Sequence, residues 1–161
     1  MSAASLSGVS AALTGAGTFQ VRLDVSGGPI IADEPFAVGG LGTGPSPYEL
    51  LSAGLAACTV MTLNLYVGRK GWDLAGLEVE VAHSRIDGAD RFTRQIRFGA
   101  GLDEEQRIRL LEIADRCPVH RTLDGGAEIV TIVADRIEQG LGAEAAAQHA
   151  EDMREACAQS E

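Results

Sequence analysis

From Leu50 to Val67 the chain runs 18 residues without a charged side chain. That is about the length an α-helix needs to cross a bilayer. The stretch also carries Ser52, Gly54, Thr59, Thr62 and Asn64, and the segments flanking it alternate as in a water-soluble fold. It reads as the buried central helix of a globular domain, apolar nearly all round, and no membrane association is expected. Its start is well marked. Ser46 stands as N-cap, Pro47 fills the first helical position and Glu49 follows the cap by three residues. Such a capping box contributes about 1–2 kcal/mol. Gly71 closes the element.

The rest of the chain alternates or repeats around this helix. Phe19, Val21, Leu23 and Val25 share one face of a strand over 18–25, with Gln20, Arg22 and Asp24 on the other. Ser26-Gly27-Gly28-Pro29 signals a turn, and Ile30-Ile31-Ala32 a second strand pairing back. Gly39 to Pro45 is a glycine-rich loop. Leu77-Val79-Val81 and Phe92-Ile96-Phe98 mark two more strands. Asp103 caps a second helix with Gln106 at the box position. Its apolar stripe runs through Leu110, Ile113, Ala114 and Cys117, and Pro118 interrupts it by removing a backbone donor. A last strand is expected over Ala127 to Ala134. The order β-β-α-β-β-α-β, strand pairs separated by single helices, favours an α+β fold. Residues 1–16 read as a flexible arm, 17–136 as the domain, and 137–161 as an acidic, Ala/Glu-rich helical tail. Trp72, at a helix end, reads as a core anchor.

The net charge of -10 argues against nucleic acid, which needs clustered Lys and Arg. Between Glu138 and Glu161 six acids face one base, as in a solvated tail. Three cysteines among 161 residues do not build a disulfide scaffold. The odd count suggests reduced thiols and a cytoplasmic protein in which any disulfide is transient. The start lacks the basic region of a signal peptide, since no Lys or Arg precedes Arg22.

Cys58 and Cys117 each sit on the apolar face of a helix, which is usually a packing position. Two features point past packing. Val, Ala or Leu would fill either place as well, and Cys117 directly precedes Pro118, which leaves the Ala114 carbonyl without its helical donor. The segment Gly44-Pro45-Ser46-Pro47-Tyr48-Glu49-Leu50-Leu51, with Ala56-Ala57-Cys58-Thr59 and Met61-Thr62-Leu63, resembles the first cysteine helix of the osmotically inducible protein C and organic hydroperoxide resistance superfamily. Ala114-Asp115-Arg116-Cys117-Pro118-Val119-His120 is similar to its second cysteine motif. The two motifs lie 59 residues apart within a resemblance that spans residues 18–134. The Cys-Pro-Val-His wording points to the general branch of the superfamily.

The resemblance implies an intertwined homodimer with active sites at the interface, working as a two-cysteine peroxidase. On that pattern Cys58 attacks an organic hydroperoxide and becomes a sulfenic acid. Cys117 condenses with it to a disulfide, and an external dithiol reduces the pair. No cofactor is implied. A buried thiol needs a cation to become a nucleophile, and Cys58 lies about twelve residues past the N-cap, beyond the reach of the helix dipole. The family uses an arginine held by a glutamate. Arg22, on an N-terminal strand, is the candidate by position. Arg94, on the apolar parity of its strand, and Arg121, after the second motif, are rivals.

Glu49 is the candidate carboxylate, although the hydroperoxide-resistance branch has its glutamate one place earlier, where this chain has Tyr48. Nine residues at about 100° each set Glu49 and Cys58 on opposite faces of the helix. Glu49 therefore serves the cap, or reaches the site of the other subunit. A zinc site on Cys58, Cys117 and His120 would lack a fourth ligand, so no metal is expected. His83 and His149 read as ordinary residues and Cys157 as a spare thiol in the polar tail.

Two other functions compete. One is acyl transfer or hydrolysis at Cys58, for which no histidine has an obvious place as base. The other is a non-catalytic, redox-sensing module that binds small apolar molecules.

Overall fold

The computed structural model describes residues 8–136 and 143–159, the side chains of 143–147 excepted. It forms two compact units, residues 1–50 with 131–148 and residues 51–130 with 149–161.

The first unit holds an antiparallel sheet of β1 (Ser10–Leu13), β2 (Val21–Asp24) and β3 (Ile30–Ala32), in that order. The expected arm therefore contributes an edge strand, with Ala12 opposite Arg22 and Leu13 opposite Val21; residues 1–7 of that arm lie outside the described residues. The glycine-rich loop is folded around Asp33. One oxygen of this buried carboxylate accepts from Leu41 N, Thr43 N and Thr43 Oγ1, and the other from Glu34 N. Burial pushes the Asp33 carboxyl up, but these hydrogen bonds outweigh it and leave the group below its ordinary range. Gly40 and Gly44 are required here, because a Cβ on either would collide with the carbonyl of Glu34 or Ile31.

The loop delivers the chain to α1 (Pro47–Lys70). Ser46 and Glu49 form the expected capping box: Glu49 N donates to Ser46 Oγ at 3.3 Å and Ser46 N to Glu49 Oε2 at 2.7 Å. By length and composition α1 could cross a membrane, yet Leu55, Cys58, Leu63, Tyr66 and Val67 pack into the core of the second unit. It is not buried all round. Leu51, Ala53, Gly54, Ala57, Val60, Met61 and Asn64 are exposed, an uncovered face of small and apolar residues.

In the second unit β4 (Glu78–Ile86) and β5 (Ala89–Arg97) form a hairpin with Val81 opposite Arg94. Asp87 and Gly88 turn it, both at positive φ, as a two-residue loop matched to strand twist requires. Val79, Val81, Phe92, Arg94 and Ile96 point to the less exposed side. α2 (Glu104–Ala114) starts on the expected Asp103–Gln106 box and buries Leu110, Ile113 and Ala114. Leu63, Leu110 and Ile113 are fully buried, each contributing about 1.5–3 kcal/mol by leaving water. Trp72 packs against this cluster, edge-on to Tyr66 at 5.7 Å.

Three expectations change. Pro118 does not merely interrupt the second helix; it opens a separate helix, α3 (Pro118–Gly125), capped by Cys117 in an extended conformation. Pro at the first helical position costs nothing, since its missing N–H would be unpaired anyway. The last strand, Ala127 to Ala134, pairs with nothing among the described residues, and Ile129, Val130, Ile132 and Val133 are exposed. Alternation alone does not make a strand; it needs ladder hydrogen bonds to an edge, and this segment makes none among the described residues. The tail is a helix, α4 (Ala143–Ala158), but not a solvated one: Ala156 and Cys157 are buried in the second unit. Residues 137–142 of the tail lie outside the described residues.

A thiol pair between an arginine and a histidine

Cys58 and Cys117 come together from α1 and the start of α3, 2% and 0% exposed, in a cluster with Leu55, Val81, Phe92, Val119 and Leu123. The two thiols are neighbours in this cluster. All three cysteines of the chain are free thiols.

The Cys117 end is polarised by its neighbours. As N-cap of α3, Cys117 Sγ accepts from His120 N at 3.3 Å, where the helix start concentrates positive potential. Thr59 Oγ1 lies 3.9 Å from the same sulfur. The hydrogen bond from Cys58, then the His120 N–H, Thr59 and the charge of Arg94, pull the Cys117 thiol down to about 6 against the penalty of burial. The Cys58 thiol is pushed the other way, up, by its neighbour Cys117 and by burial.

Arg94 is the cation. It leaves β5 on the inward side, its side chain only 12% exposed. Nη1 donates to Thr59 Oγ1 at 3.0 Å and to Ala114 O at 3.1 Å; Nη2 donates to Asp115 Oδ1 at 2.8 Å and meets His120 Nδ1 at 3.3 Å. The Ala114 carbonyl is the one Pro118 deprives of a helical donor. Thr59 in turn donates to Leu55 O at 2.7 Å. A planar fork of donors suits this set of acceptors better than an ammonium would.

Of the other candidates, Arg22 holds Asp24 Oδ1 at 2.9 Å on β2, with its side chain 56% exposed. Glu49 is engaged in the capping box, and its hydrogen bonds from Ser46 keep its carboxyl below the ordinary range. Both lie in the first unit. Arg121 is exposed on α3. His83 pairs with Asp90 at 2.9 Å.

Two residues of the tail differ from expectation. His149 Nε2 lies 3.4 Å from Cys58 Sγ. Cys157 is a core residue 1% exposed, its Sγ donating to Thr62 O at 3.7 Å, and burial pushes its thiol up. No local sequence signal links residues 149 and 58, which lie 91 apart. The tail's only legible hint is that Ala150, Met153, Ala156 and Cys157 share helical spacing.

A cleft of about 180 Å³ adjoins the pair, lined by Leu55, Phe92 and Leu123 together with Asp90, His120 and Asp124. Among the described residues no group of three or more His, Cys, Asp or Glu side chains is gathered to hold a metal ion.

The family model for OsmC-like protein matches residues 40–132. No curated protein matches the chain. Among solved structures, the chain is similar to an OsmC-like protein from Mycoplasma pneumoniae at 24% identity and a TM-score of 0.63, covering 73% of this chain and 86% of that one. It is likewise similar to an organic hydroperoxide resistance protein from Legionella pneumophila, at 18% identity and a TM-score of 0.56, over 73% and 90% of the two chains.

Proposed function

The chain belongs to the OsmC-like protein family, and on that premise we propose that it is a thiol peroxidase reducing organic hydroperoxides. The observation that carries this reading is the pair Cys58 and Cys117, brought together from two helices and buried among apolar side chains. A similar chain from Legionella pneumophila bears the name organic hydroperoxide resistance protein.

In the proposed reaction the Cys58 thiolate attacks the peroxide while Cys117 holds a proton. An S–O bond forms, the O–O bond breaks, and the alkoxide takes a proton from solvent and leaves as the alcohol. Cys117 then attacks the Cys58 sulfenic acid, releasing water and leaving a disulfide. An external dithiol restores the thiols, in keeping with a cytoplasmic setting. The cleft beside the pair, with Leu55, Phe92 and Leu123, favours an alkyl or aryl hydroperoxide over hydrogen peroxide. We assign the activating arginine to Arg94 rather than Arg22, because Arg94 reaches the pair through Thr59 while Arg22 is engaged by Asp24. Glu49 is assigned to the helix cap.

We also infer that two chains pair. The uncovered face of α1 and the exposed apolar segment Ala127 to Ala134 are surfaces a second copy would cover. Exchange of that segment would give the intertwined homodimer its sequence resemblance implies.

The test is turnover of cumene hydroperoxide with a dithiol reductant: activity in the native chain, lost in folded Cys58→Ser, supports the peroxidase. A second reading, acyl transfer at Cys58, is favoured by one observation, the His149 contact, which supplies the base such chemistry needs. Rapid Cys58-dependent cleavage of an activated ester, with no peroxide turnover, would favour it.

A further inference from the structure

Cys58 and Cys117 are not placed alike. Arg94, Thr59 and the His120 N–H gather at Cys117, whereas at Cys58, among the described residues, His149 Nε2 lies 3.4 Å from the sulfur. His149 arrives on α4, beyond the family region at 40–132. The second half of α4 is held in place: Cys157 Sγ donates to Thr62 O, Ala156 is buried, and Arg116 Nη1 donates to Gln159 O at 3.3 Å. Cys157 lies eight residues after His149, a little over two helical turns. Cys58 and Thr62 are one turn apart on α1. The anchored half of α4 thus carries His149 on the same helix, and its Nε2 lies 3.4 Å from the Cys58 sulfur.

We propose that His149 is a catalytic residue of the tail, the proton partner that makes Cys58, rather than Cys117, the attacking sulfur. This rests on the peroxidase reading and deepens it. In this step His149, as the imidazolium, lies against Cys58 Sγ and holds it as the thiolate while Cys117 carries a proton. Cys58 Sγ then attacks the peroxide, forming S–O as O–O breaks, and the departing alkoxide takes the Nε2 proton to leave as alcohol. Neutral His149 remains beside the Cys58 sulfenic acid. When Cys117 Sγ forms the S–S bond, its own proton leaves with the hydroxide as water. Two thiols and one hydroperoxide thus give one disulfide, one alcohol and one water.

The test is labelling of the full-length chain with iodoacetamide, without peroxide, read at each cysteine by peptide mass spectrometry. In the native chain Cys58 is labelled before Cys117. In His149→Gln, which keeps a polar group of similar reach but carries no transferable charge, Cys58 labelling falls about a hundredfold, the order expected for an acid–base partner. Cys117 labelling does not fall with it. His149→Asn gives the same result should Gln disturb α4. Cys58 labelling within about twofold of native in both variants overturns the proposal, as does a native chain that labels first at Cys117. Because no peroxide is present, the two readings fail separately. A His149-dependent Cys58 that never yields a disulfide would sink only the peroxidase. Equal peroxide turnover in His149→Gln and the native chain would sink only the role of His149.

Discussion

Arg94 Nη1 donates at 3.1 Å to the carbonyl of Ala114, an oxygen that Pro118 deprives of its i+4 donor and that Cys117 N also reaches at 3.2 Å. A break in the α2–α3 backbone and a charge on β5 are thereby joined, and the same guanidinium nitrogen reaches Thr59 above the Cys117 sulfur. One residue braces the break and polarises the thiol pair.

Replacing Arg94 should act on both. Arg94→Ala removes the guanidinium hydrogen bonds to Thr59 Oγ1 and Ala114 O, the latter keeping only Cys117 N, and costs about 1–3 kcal/mol in chemical denaturation. Peroxide turnover should fall about a hundredfold, the order lost when a preorganised electrostatic group is removed. Arg94→Lys should restore part of the stability and little of the rate, because an ammonium cannot span the same acceptors. A larger loss of turnover in Arg22→Ala than in Arg94→Ala would return the role to Arg22.

The pair should also set a pH window. Cys117 is pulled down to about 6 from an ordinary 9.0, so its contribution to stability is present at high pH and lost as pH falls through about 6. Cys58 is pushed the other way, and a buried thiol that resists ionisation weakens the fold as pH rises past 9.0. Denaturation midpoints of the native chain minus those of Cys58→Ala/Cys117→Ala should therefore rise from pH 5 to 8 and decline above 9. A difference flat across this range would contradict the opposed shifts of the two thiols.

How much of this was legible in the chain itself depends on the range of the interaction. Ser46 with Glu49 and Asp103 with Gln106 announce two helix starts because both partners of each cap lie within one turn. The two cysteines could be paired only through their motifs, since nothing local in a helix face separates a reactive thiol from a packed one. Arg94 was legible as a rival because its parity matched Phe92 and Ile96. His149 and Cys157 were not, for their partners lie more than ninety residues away on α1. The Ala127 to Ala134 segment has the alternation of a strand, but alternation promises a face and not a partner.

Cys157 should prove structural. It sits among Leu63, Leu110 and Ile113, so Cys157→Asp buries a carboxylate without a partner and should cost about 3 kcal/mol or more. Cys157→Ala, a milder change, should leave peroxide-driven disulfide formation intact. Participation of Cys157 in that disulfide would contradict its core placement.

The uncovered face of α1 offers a test of pairing. Met61→Glu puts a charge on the centre of that face, where Val60 and Ala57 are also exposed. Sedimentation should report a dimer for the native chain and a shift toward monomer in the variant, with the far-ultraviolet spectrum unchanged. A native monomer at micromolar concentration would contradict the dimer.

The central claim is that Cys58 and Cys117 act as one redox pair, and mass spectrometry after one equivalent of cumene hydroperoxide tests it most directly. A single intramolecular Cys58–Cys117 disulfide, with Cys157 still a free thiol and a Cys58 sulfenic acid trapped in Cys117→Ser, is the predicted result. Thiols left unchanged at both positions would contradict it.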